Sequence, residues 1–103
     1  MKNMNKQVGL PKLANAIKAN VCTHETSSSN FVSSSREEAS MPKALMMYFM
    51  LQEKYSKQSI QDELGVTDKG MTATENYLFS SVENGTKEFM VKIRLIKNYL
   101  RLN

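Results

Sequence analysis

Apolar residues recur along this chain in helical rather than alternating order. Leu10, Leu13, Ala14, Ile17 and Val21 are three or four residues apart, which puts them on one side of a helix from Leu10 to about Val21. Pro11 falls in its first turn, where the missing N–H has no partner to lose. Further on, "ALMMYFML", Ala44 to Leu51, leaves no polar face at all, so a helix capped by Ser40 and running to about Tyr55 should lie buried at the centre. Its Met46, Met47 and Met50 suit an irregular core. Ser56 caps a short helix, Lys57 to Leu64, and Gly65 ends it by adopting a left-handed conformation without strain. Thr67 caps the next, from Asp68 to about Val82, which "ENG" stops. Thr86 begins the last helix, where Phe89, Ile93, Ile96 and Leu100 form one stripe while Lys87, Arg94, Lys97 and Arg101 give it a basic side. The pattern predicts an all-α fold, a small domain of about five helices.

Between the first two helices lies "THETSSSNFVSSS", residues 23–35, which reads as a serine-rich loop extending to about residue 40. "SREE", Ser35 to Glu38, fits a capping box and predicts a short helical turn. Residues 1–9 are polar and read as a flexible N-terminus, which leaves 10–103 as a single domain.

Composition narrows the chemistry. One cysteine, Cys22, excludes an internal disulfide and fits a reducing compartment. The opening residues lack the apolar core of a signal peptide, and no apolar run approaches the roughly 20 residues needed to span a bilayer, so a soluble cytoplasmic protein is expected. Cys22 and His24 are the chain's sole cysteine and histidine, too few for a structural zinc site, and nothing else forms a nucleophile–base pair or a phosphate-cradling glycine loop. Neither catalysis nor a metal or other cofactor is expected. A net charge of +4 suits a polyanionic partner, though mildly.

The motif that decides the reading is "SIQDELGVTDKGM". A helix-turn-helix needs apolar residues that lock two helices together and a glycine to make the turn. Counting Lys57 as the first position, Ile60, Leu64, Val66 and Met71 fall on the packing positions 4, 8, 10 and 15, and Gly65 on the turn position 9. Position 5, which favours a small residue, holds Gln61; position 18, which favours an apolar one, holds Thr74. With Met71, Thr74 and Leu78 facing inward, the second helix shows Asp68, Lys69, Thr72, Ala73 and Asn76 on its groove side. Lys69 can donate to guanine, Asn76 can pair with adenine in bidentate fashion, and Thr72 and Ala73 can meet a thymine methyl. Lys43, Lys54, Lys57 and the basic side of the last helix are the expected phosphate grips.

The stretch "FVSSSREEASMPKALMMYFMLQEKYSKQSI", Phe31 to Ile60, resembles the C-terminal DNA-binding domain of the DnaA family of bacterial replication initiators. That family has a Ser/Lys-rich stretch ending in arginine, matched here by Arg36. A basic residue before a helix with a Met-Tyr-Leu-like run follows, matched by Lys43 and Met47-Tyr48-Phe49. A glycine turn then opens into an Asp-His-Thr-Thr motif, of which Asp68 alone recurs in Asp68-Lys69-Gly70-Met71. The resemblance spans about residues 10–102 and implies a TrpR-like helix-turn-helix. It further implies minor-groove contact by Arg36, phosphate contact by Lys43, and Asp68 and Lys69 at the reading tip.

The expectation is a sequence-specific double-stranded DNA-binding protein, a replication-associated factor or transcriptional regulator of the kind a phage or mobile element carries. One short motif has a small footprint, so a homodimer or cooperative oligomer on DNA is the expected route to affinity. The rival is a non-catalytic helical module that docks a protein through its methionine-rich helix or its basic last helix.

Overall fold

The computed structural model describes residues 9–21 and 36–102, in which five helices and no strand occur: α1 (Leu10–Asn20), α2 (Met41–Gln52), α3 (Lys57–Leu64), α4 (Asp68–Glu83) and α5 (Lys87–Leu102). The all-α expectation therefore holds. Residues 1–8, Cys22, His24 and the serine stretch 23–35 lie outside the described residues. Residues 36 and 37 form a turn, and its expected cap, Ser35, lies outside the described residues.

Helix α2 is the central element, packed against each of the other four. From Lys43 to Met50 all but Tyr48 are buried, and Leu45, Met46 and Met50 are completely covered. Leu13, Ala16 and Ile17 of α1, Ile60 and Leu64 of α3, Met71 and Leu78 of α4, and Phe89, Ile93 and Ile96 of α5 close the core around it. Tyr48 and Phe49 meet edge to face with ring centroids 5.1 Å apart.

Three helices start on the side-chain caps that the sequence announces. Ser40 Oγ accepts the amide of Lys43 (3.4 Å), Ser56 Oγ that of Ser59 (3.1 Å), and Thr67 Oγ1 that of Gly70 (3.1 Å). Three also end alike, with a left-handed residue followed by an amide that reaches back to the last turn. Gly65 (φ 66°) and Gly85 (φ 62°) serve α3 and α4. In α2 that place falls to Lys54 (φ 68°), with the Tyr55 amide donating to the Met50 carbonyl at 3.0 Å. Helix α2 thus stops at Gln52, short of the expected Tyr55. Lysine carries none of glycine's advantage in this conformation, so the stop has no mark in the sequence.

Candidate nucleic-acid interface

Helices α3 and α4 are joined by a three-residue turn, Gly65 to Thr67. All four packing positions of the motif are filled as expected: Ile60, Leu64, Val66 and Met71 are buried, and Gly65 is left-handed. The two misfits also have physical accounts. Gln61 bridges the turn, its Nε2 donating to the Val66 carbonyl (3.2 Å) and to Asp68 Oδ1 (2.9 Å). Thr74 has no exposed surface, and its hydroxyl donates to the Gly70 carbonyl one turn back at 2.7 Å. A threonine satisfied by its own helix is a tolerable filler where an aliphatic side chain is usual.

With Met71, Thr74 and Leu78 inward, Asp68, Lys69, Thr72 and Asn76 are exposed on the outer side of α4, and Ala73 is half-buried. The acids near Lys69 both have partners. Asp68 accepts from Gln61 and stands in the first turn of α4, where the helix dipole favours a negative charge. Glu75 pairs with Lys57 at 3.0 Å. These contacts orient both carboxylates, and Lys57 offsets the charge of Glu75, while Asp68 keeps its negative charge at the tip of α4.

Arg36 is held at this turn rather than on a separate arm. Its Nε donates to the Gly65 carbonyl at 3.0 Å, and its own carbonyl accepts from the Thr67 amide (3.1 Å) and hydroxyl (3.4 Å). That approach is close enough to dictate Gly70. A Cβ there would fall on the Arg36 carbonyl oxygen and 3.0 Å from Val66 Cβ. A glycine inside a helix costs about 1 kcal/mol relative to alanine, and this close approach accounts for its presence in the first turn of α4.

The expected phosphate grips divide. Lys54 and Lys57 are exposed at the start of α3, where lysines and free helix amides favour an anion together. Lys57 reaches Glu75 but keeps 74% of its side-chain surface open. Lys43 is a correction: it is completely covered, and its ammonium donates to the Glu38 carbonyl at 2.8 Å. Burial pushes its pKa below the usual lysine range, with the Glu38 carboxylate opposing. A side chain enclosed in this way does not present its charge to a phosphate.

Lys87, Arg94, Lys97 and Arg101 of α5 are exposed as a second basic strip, whereas Lys92 is turned to α1, where it donates to the carbonyl of Asn20 at 2.9 Å. A depression of about 270 Å³ between α1, α2 and α5 has Leu13, Phe49, Leu100, Lys97 and Arg101 in its lining. No residue of α3 or α4 lines it. Among the described residues no cluster of three His, Cys, Asp or Glu side chains is placed to hold a metal, and no helix is long and apolar enough to cross a membrane.

Comparison with protein-family models, with curated proteins and with solved structures finds no match to this chain.

Proposed function

We propose that this protein binds double-stranded DNA in a sequence-dependent manner through α3 and α4, as a replication-associated factor or transcriptional regulator. The observation that carries this reading is the outer side of α4. Its first three turns expose a lysine, an aspartate, a threonine and an asparagine, while every packing position behind them is filled. Lys69 and Asn76 supply directional hydrogen bonds to base edges, and Thr72 and Ala73 supply methyl contacts. Lys54 and Lys57 lie at the N-terminus of α3 to hold the backbone, and Arg36 is fixed beside the turn. Arg36 serves there as a further backbone or groove contact, in keeping with the resemblance to the DnaA family.

Selection of bound fragments from a random duplex pool at near-physiological salt tests the proposal. An enriched site should appear, and the affinity for it should fall with salt, with a log–log slope of roughly −0.9 for each phosphate contact. Lys69→Ala should alter the enriched sequence at one position, whereas Lys54→Ala should weaken all sites alike. Absence of enrichment, with no retention on duplex DNA even at low salt, would sink it. The second reading, a protein-docking module, is favoured by the exposed Met90, Val91 and Leu95 of α5, and it predicts partner binding that is indifferent to DNA.

A further inference from the structure

We infer that Phe79 belongs to the same reading surface and takes the 5-methyl group of a thymine. This rests on the reading of α4 as the helix that enters the major groove. Phe79 is 55% exposed, the most exposed of the large apolar side chains among the described residues. It continues the line of Lys69, Thr72 and Asn76, at successive spacings of three, four and three residues, so the four share one side of α4. From Lys69 to Phe79 that line runs about 15 Å at 1.5 Å per residue. Over such a length a strand of duplex presents roughly four to five bases.

The chemistry of the ring selects its contact. It offers no hydrogen-bond donor and no charge, so it gains nothing from a phosphate or a guanine edge. Among major-groove edges the thymine methyl is the apolar feature. Asn76, one turn earlier, is suited to adenine, so an A·T-containing step at this end of the helix satisfies both side chains. Self-association through the end of α4 is the competing use of the ring. Phe79 and the neighbouring exposed Val82 are too small a patch for the roughly 800 Å² per partner that a stable interface buries.

The test is a thermodynamic cycle on the wild-type selected site, in which each thymine in turn is replaced by uracil. At one position removal of the methyl should weaken wild-type binding about 4-fold, the value of one buried methyl group. Phe79→Ser should lose a similar factor on the thymine site and show no further loss with uracil there. Phe79→Leu, which keeps an apolar contact, should retain most of the affinity and guards against a folding artefact. Independent, multiplying losses, indifference to uracil at every position, or a selected site without thymine would overturn the inference while leaving the DNA reading intact. So would a change in the sedimentation of the free protein on Phe79→Ser. Failure of the wild type to select any site defeats the DNA reading and this inference with it.

Discussion

Replacing Gly70 by alanine separates a glycine that merely weakens a helix from one required by a neighbour. In an open helix interior the change favours folding by about 1 kcal/mol, because alanine has less backbone freedom to lose. Here the new Cβ meets the Arg36 carbonyl, a backbone atom that cannot swing away alone. If the segment at Arg36 moves off, the bonds from the Thr67 amide to Arg36 and from Arg36 Nε to Gly65 go with it. Each such bond contributes about 0.5–1.5 kcal/mol. If the segment stays, overpacking costs about 1–3 kcal/mol. Set against the gain in helix propensity, the net is a loss of roughly 1 kcal/mol where a gain of the same size would otherwise occur. Urea unfolding gives the stability, and amide hydrogen exchange at Thr67 reports the docking directly. The expected result is a lower midpoint together with faster exchange at Thr67. A more stable Gly70→Ala protein with Thr67 still protected would refute the close approach and the placement of Arg36 beside the turn.

Other outcomes follow from the same structure. Lys54→Gly should raise stability by about 0.5–1 kcal/mol in thermal unfolding, because the left-handed end of α2 then needs no side chain to tolerate it. Lys43→Met should leave the protein at least as stable, since it removes a buried ammonium whose pKa burial has lowered, and should not change DNA affinity; a loss of affinity would restore Lys43 as a phosphate grip. Tyr77 is shifted the other way: burial raises its phenol pKa, and the Glu88 carboxylate adds to that. Above about pH 10 the unfolded chain ionises this phenol while the folded chain keeps its proton, so stability falls with rising pH, and Tyr77→Phe should flatten that part of the stability profile. Thr74→Val removes a hydroxyl bonded within α4, and unfolding should show a change of less than about 1.5 kcal/mol with the groove-side residues undisturbed.

Helix starts are legible in this sequence because Ser40, Ser56 and Thr67 each stand just before an apolar-periodic run, and each does accept the amide three residues on. Helix ends are legible where glycine supplies the left-handed residue, at Gly65 and Gly85, and hidden where Lys54 does so. The packing of α3 on α4 is readable from local spacing, since Ile60, Leu64, Val66 and Met71 lie within fifteen residues of one another. Gly70 is not, because its partner Arg36 is distant in the chain and the contact is made by a backbone carbonyl that any residue type would carry. The burial of Lys43 has a faint signal in its setting, an apolar helix with no polar face. A basic residue there still reads more naturally as surface, until the Glu38 carbonyl is found waiting for its ammonium. Phe79 escapes notice because an apolar residue in a helical run is ordinarily core, although the inward Leu78 beside it already implies its outward position.

Backbone amide spectra of the uniformly labelled protein, recorded while a short mixed-sequence duplex is added at low salt, map the DNA-facing side directly. Binding through α3 and α4 should concentrate shift changes at Arg36, around the start of α3 near Lys54 and Lys57, and along α4 from Lys69 to Phe79. Changes confined to the α5 strip of Lys87, Arg94, Lys97 and Arg101, with α4 unmoved, would contradict it.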